Sequence, residues 1–144
     1  MKKLSLLLLL VVSAISCSGD DKVIEREDII GQWKEIQRRP TKKTPVYNIP
    51  DCGDEKANGQ LYTFKADSTY TVRNFCPGGK PEENGRWIYR DHVISLTKDS
   101  INMKYSLVNE GDNRIKFAFI SYENNGRSNM DGFEMGYYSM FEKQ

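Results

Sequence analysis

The chain has 144 residues, with 21 Lys+Arg against 20 Asp+Glu and a formal net charge of +1. That is one domain's worth of chain, able to bury a modest core, and its charge balance gives no reason to expect a nucleic-acid partner. Apart from Cys17, two cysteines, Cys52 and Cys76, and the single histidine, His92, are too few ligands for a zinc site, and neither a metal nor a cofactor is expected.

Lys2 and Lys3 precede a short apolar run, Leu4 to Val12, and then the small residues Ser13, Ala14 and Ser16. This is the layout of a secretory signal, and it falls short of the about 20 apolar residues that span a bilayer. The run stops at Cys17, and Ala14-Ile15-Ser16-Cys17 resembles a bacterial lipobox. That resemblance implies removal of residues 1–16 and a diacylglyceryl group on the Cys17 thiol. The plain alternative is a secretory signal with an incidental thiol. Each buried CH2 of an acyl chain contributes about 0.8 kcal/mol, so two or three chains anchor firmly. The expected location is the bacterial outer membrane, with the domain lipid-anchored and facing either the periplasm or the cell surface. Residues 17–28 are the lipidated cysteine and a polar tether with one short helical turn at its end. Asp20 and Asp21 are similar to the surface-export signal of some Gram-negative lipoproteins, and read equally well as a solvated spacer. The mature 128 residues carry 19 Lys+Arg against 20 Asp+Glu, since Lys2 and Lys3 leave with the leader.

From residue 29 to 144 the pattern alternates with period two, and Gly, Asn and Asp cluster between the runs. Strands are expected at 31–38, 59–65, 69–75, 84–90, 92–97, 103–109, 113–120 and 132–141. No long amphipathic helix interrupts them, so crossovers are absent and the fold class is all-β, an antiparallel eight-stranded up-and-down barrel. The connections alternate in length. Residues 39–58, 76–83 and 121–131 are long and 98–102 medium, whereas 66–68, 91 and 110–112 are short. In a meander alternate connections leave from the same end, so the short turns close one end and the long loops surround a mouth. Cys52 and Cys76 fall at that mouth, and two leftover cysteines in an exported domain read as a disulfide.

Alternation turns Tyr62, Phe64, Tyr70, Val72, Trp87, Tyr89, Ile94, Leu96, Met103, Tyr105, Leu107, Ile115, Phe117 and Phe119 to one face. Eight-stranded barrels are either filled by such side chains or hold one small ligand, and both alternatives stand here.

Gly31-Gln32-Trp33 on the first strand is similar to the lipocalin signature. "YTFKADSTYTV" (62–72) and "GRWIYRDHVISLT" (85–97) look like the hairpin and the following strands of bacterial lipocalin-like lipoproteins. The resemblance covers about residues 29–120. It implies a lipocalin-like barrel in which Trp33 plugs the closed end under a basic residue from the last strand. No arginine follows Arg127, so that role falls to Lys143 or is missing, and Ser68 replaces the usual hairpin glycine.

Nucleophile elbows, His-Glu-x-x-His and Cys-x-x-Cys are all missing from the sequence, and one histidine leaves little scope for a general base. An enzyme is therefore not expected. Asp91-His92 reads as a surface turn and Glu82-Glu83 as a loop charge pair. Two stretches at the mouth can bind. Arg38, Arg39, Lys42 and Lys43 suit an anionic head group or an acidic partner, and 121–132 is a polar loop on the same rim. Two functions follow. The first is a tethered binding protein that holds a small apolar ligand against Tyr62, Tyr70, Tyr105 and Phe117, with Arg38 and Arg39 meeting its carboxylate or phosphate. The second is an interaction module that engages an envelope protein through its rim loops.

Overall fold

The computed structural model describes residues 22–39, 47–48, 59–74, 82–111, 113–125, 127–128 and 138–144. Cys17, Cys52, Cys76, Lys42 and Lys43 lie outside the described residues, as does the leader.

Ten strands follow in chain order: β1 (Gly31–Arg39), β2 (Tyr47–Asn48), β3 (Gln60–Phe64), β4 (Thr69–Asn74), β5 (Glu83–Arg90), β6 (Val93–Lys98), β7 (Ile101–Asn109), β8 (Arg114–Asn124), β9 (Arg127–Ser128) and β10 (Tyr138–Lys143). Eight of them close a ring in the order β1-β3-β4-β5-β6-β7-β8-β10, and β10 returns to β1. Every neighbouring pair is antiparallel. This is the expected eight-stranded up-and-down barrel. The two-residue strands β2 and β9 are appendages, on β1 and β8 respectively.

The short turns carry the φ values their geometry demands. Asp91 and His92 sit at φ 50° and 61° between paired Arg90 and Val93, the two-residue hairpin with both central residues left-handed. Ser68 takes φ 66° where glycine is usual. Its hydroxyl accepts from Arg26 Nη2 at 3.0 Å and its carbonyl from the Trp87 N–H at 2.9 Å. Asp67 Oδ1 accepts from both Thr69 Oγ1 (2.6 Å) and Thr69 N (3.0 Å). Those bonds, the hydroxyl first, hold its carboxyl below the ordinary value.

Two expectations are corrected. The medium connection at 98–102 is a two-residue turn, because Ile101 and Asn102 belong to β7 and pair with Asn124 and Glu123. The polar loop expected at 121–131 begins as strand: β8 continues through Asn124, and Arg127–Ser128 fold back as β9. Near the rim both faces of the ladder are wetted, so the hydrogen bonds continue after the apolar alternation has ended. In the last strand, whose expected residues 132–137 lie outside the described ones, pairing runs on to Lys143, past the expected 141.

All fourteen inward-assigned residues join one core, the most deeply buried being Trp87, Ile94, Leu96 and Phe64. Arg73, Arg86, Arg90 and Thr97 are exposed on the outer face. Ile88, Val108 and Ile120 are exposed apolar residues among them, and a mostly polar outer face around an apolar inside differs from the apolar outer band of a membrane-spanning barrel.

Residues 22–30 close one end. The helical turn expected at the end of the tether is present as α1 (Arg26–Ile29), and the segment straps across the barrel floor with Ile24 and Ile29 buried beneath it. Trp33 Nε1 donates to the Ile29 carbonyl at 2.7 Å, Tyr89 Oη to the Ile24 carbonyl at 2.9 Å and Lys143 Nζ to the Asp28 carbonyl at 2.8 Å. Lys143 Nζ also stands 5.3 Å from the Trp33 ring centre, and the Arg26 guanidinium 4.8 Å from that of Trp87. Lys143 thus occupies the position over Trp33 that the sequence left open.

The Glu25 N–H donates to Asp28 Oδ2 at 3.0 Å and Lys22 Nζ to Oδ1 at 3.2 Å. The backbone bond first, then Lys22, holds the Asp28 carboxyl below its ordinary 3.8. A carboxyl depressed by folding adds stability above its unfolded pKa, and that stability is lost as the pH falls through the folded value. The strap should therefore keep full hold down to about pH 5 and loosen below about pH 4. The Trp33 indole N–H resonance checks this. It should hold steady from neutral pH to about 5 and move below about 4, and Asp28→Asn should remove the movement.

Candidate functional site

The candidate site lies inside the barrel, toward the end from which the 40–59, 75–82 and 125–137 connections leave. A bulge in β1 builds it. Register against β10 runs Glu35↔Phe141, then Gln37↔Met140 and Arg38↔Ser139, so Ile36 is the extra residue. In a regular strand residues i and i+3 face opposite sides of the sheet. The bulge cancels that alternation and turns Arg38 to the same inner side as Glu35 and Ser139.

Those three side chains form a hydrogen-bonded polar group. Glu35 is 0% exposed. Arg38 Nε donates to Glu35 Oε1 at 2.8 Å and Arg38 Nη2 to Oε2 at 2.6 Å, the two-pronged geometry that makes arginine–carboxylate pairs strong. Ser139 Oγ donates to Glu35 Oε1 at 2.7 Å. A buried carboxylate needs such partners, because desolvation otherwise costs several kcal/mol.

Beside this group lies a cavity of about 290 Å³ lined by Arg38, Gln60, Tyr62, Met103, Tyr105, Phe117, Ser139 and Phe141. Its aromatic walls brace one another. Phe117 and Phe141 have ring centres 4.7 Å apart, Tyr62 meets Phe141 edge-on at 5.4 Å and stacks on Phe64 at 5.6 Å, and Tyr105 lies 5.9 Å from Phe117. The Tyr62 hydroxyl donates to Gln60 Oε1 at 3.1 Å and that of Tyr105 to Met103 Sδ at 3.4 Å. The walls are therefore set before anything enters. The other half of the interior is filled by Trp33, Phe64, Trp87, Ile94, Leu96, Leu107 and Ile115. One interior thus realises both alternatives left open by the sequence, packed at the floor and hollow below the mouth.

Of the six residues the sequence assigned to ligand contact, Arg38, Tyr62, Tyr105 and Phe117 meet at the cavity. Tyr70 packs away from it, with its ring 6.0 Å from that of Tyr62 and 6.1 Å from that of Phe64. Burial pushes its hydroxyl up to about 12. Arg39 is one residue past the inward-turned Arg38 and does not line the cavity. Sequence reasoning missed Glu35, Gln60, Ser139 and Phe141. Glu35 had a signal, since it is two residues from the inward Trp33 and so carries a charge on the apolar face. His92 and Asp91 are exposed at their turn, and Glu83 pairs with Lys98 at 3.0 Å.

A larger groove of about 610 Å³ lies at the closed end between the strap and the β7–β8 turn. It is a charged surface in which Lys22 pairs with Asp28, Glu110 with Lys116 and Arg114 with Glu142, so the partly open, more apolar cavity is the better candidate. Among the described residues no group of three His, Cys, Asp or Glu side chains is placed to hold a metal, and no helix is long and apolar enough to cross a membrane. Comparison with protein-family models, with curated proteins and with solved structures finds no match to the chain.

Proposed function

We propose that this protein is a lipid-anchored binding protein of the bacterial envelope, a lipocalin-like barrel tethered through Cys17 that holds a small apolar or amphipathic molecule below its mouth. One observation carries the binding reading: a hollow of about 290 Å³, walled by mutually packed aromatic rings and edged by a few polar groups. Ligand pockets have this make-up, with apolar walls and a small number of orienting polar side chains. The volume is at the small end of their range of about 300–1,000 Å³ and about twice that of a cavity that takes up benzene. The reading therefore favours a compact ligand of one or two rings over a long acyl chain or a haem. The tether reading rests on the lipobox-like Ala14-Ile15-Ser16-Cys17 and the polar residues behind it.

Both parts are tested on the full chain. Titration with naphthalene- and indole-sized compounds should reveal binding tighter than about 100 μM, roughly 5.5 kcal/mol. No binding at that level across the panel would overturn the ligand reading and move an envelope-protein partner at the mouth to the front. Cys17→Ser should release the protein from membranes or leave its precursor uncleaved. A mutant that matures and fractionates with membranes like the wild type would overturn the tether.

A further inference from the structure

We infer that the cavity selects an uncharged ligand, and that Arg38 is the internal counter-ion of Glu35 rather than the receptor for an anionic head group. This deepens the ligand reading above and rests on it.

A lone arginine at the edge of an apolar pocket would favour a carboxylate or phosphate. Here the side edge of the guanidinium, Nε and Nη2, already holds both oxygens of Glu35 at 2.8 and 2.6 Å. Ser139 completes the carboxylate from the other side. The formal charge of the Glu35–Arg38 pair is zero. An entering anion would meet one of two situations. Either it takes Arg38 and strands Glu35, which is 0% exposed and would keep only the Ser139 hydroxyl, or it sits beside a second carboxylate that is itself buried. Both are unfavourable, because a buried charge needs a partner and like charges at close range repel. A cation fares no better, since the Glu35 oxygens it would seek are occupied. What the described lining residues offer without disruption is neutral: the Gln60 amide, the Ser139 hydroxyl and the faces of Tyr62, Tyr105 and Phe117. A molecule with an aromatic body and a hydroxyl or amide end meets that set, and its polar group need displace nothing.

The experiment compares 2-naphthalenemethanol with 2-naphthoate, two probes of nearly the same shape that differ in charge at neutral pH, by calorimetric titration of the full chain. The wild type should bind the alcohol at least about tenfold more tightly, a difference of about 1.4 kcal/mol. In Glu35→Gln, Arg38 loses the carboxylate that holds its Nε and Nη2, and the ratio of affinities should turn in favour of naphthoate. Should that variant fail to fold, the double variant Glu35→Gln with Arg38→Gln removes both charges, and its ratio should again favour the alcohol. A wild type that binds naphthoate as tightly as the alcohol overturns this inference and leaves the ligand reading intact. A double variant that prefers naphthoate overturns it too. A wild type that binds neither probe overturns the ligand reading, and the inference with it.

Discussion

Gly85→Ala should destabilise the barrel by about 3 kcal/mol and lower its melting temperature by about 10 °C or more. The sign is the informative part. Glycine inside a strand costs conformational entropy, and its replacement by alanine ordinarily stabilises by about 0.4–1 kcal/mol where the backbone permits. Gly85 is in β5 opposite Tyr70 of β4, on the inner face with Trp87. A Cβ there would come within 2.5 Å of the Thr97 carbonyl oxygen and within 2.5 and 2.7 Å of the Tyr70 Cε1 and Cζ atoms. Tyr70 could swing away only at the cost of its own packing. The carbonyl belongs to β6, paired with β5, and cannot move without pulling the ladder apart. Urea unfolding of the single variants and of Gly85→Ala with Tyr70→Ala checks the argument. The double variant should lose less than the sum of the two, because removing the ring relieves two of the three contacts. A Gly85→Ala protein as stable as the wild type would show that the Tyr70 ring does not fill the side-chain space above residue 85.

Trp33→Ala should cost about 4 kcal/mol and release the floor of the barrel as well as weakening its wall. Trp33 is 3% exposed and makes three kinds of contact. Its ring packs in the core beside Ile29. Its indole N–H satisfies the Ile29 carbonyl, the last residue of α1. Its face receives Lys143, which itself holds the Asp28 carbonyl. Trp33→Phe separates these. It keeps most of the apolar ring and the cation above it, and it loses the hydrogen bond, leaving a buried carbonyl at a cost of about 1–3 kcal/mol. Amide exchange at residues 24–30 should accelerate in both variants, and in Trp33→Phe by more than exchange in β5 and β6. Uniform acceleration across the barrel would mean that Trp33 supports the whole core and has no special hold on the strap.

The barrel was legible because period-two alternation is a direct image of a sheet with one wet face. Tyr62/Phe64, Trp87/Tyr89 and Ile94/Leu96 each announce an inner side, and the shortness of the 66–68 and 91–92 turns announces hairpins. The site was legible only in part, and the bulge is the reason. Strict alternation from Trp33 carries Gln37 and Arg39 inward, whereas one extra residue at Ile36 carries Arg38 inward instead. Nothing in "WKEIQRR" marks where that residue is inserted. Glu35 was overlooked because a glutamate in a strand is normally solvated. Only the coincidence of Arg38 and Ser139, 104 positions away from Glu35 in the second case, makes its burial tolerable. The same non-locality hid the role of residues 22–28. Their polar sequence says tether, and only the barrel floor beneath them gives Ile24 somewhere to be buried.

The ring has one late stave. β10 supplies both seams, pairing Lys143 with Trp33 on one side and Phe141 with Ile115 on the other. The first of these contacts joins residues more than a hundred positions apart, the kind of closure that slows folding because the intervening chain must first be gathered. Until β10 docks, a chain with every other strand in place presents two unpaired backbone edges, β1 and β8, facing one gap. A gap of that width accepts one strand, and at high concentration the β10 of a second copy fits it as well as the chain's own. Refolding yield should therefore fall as protein concentration rises, with strand-exchanged dimers among the by-products, whereas the closed barrel offers no edge between its eight staves through which such exchange can begin.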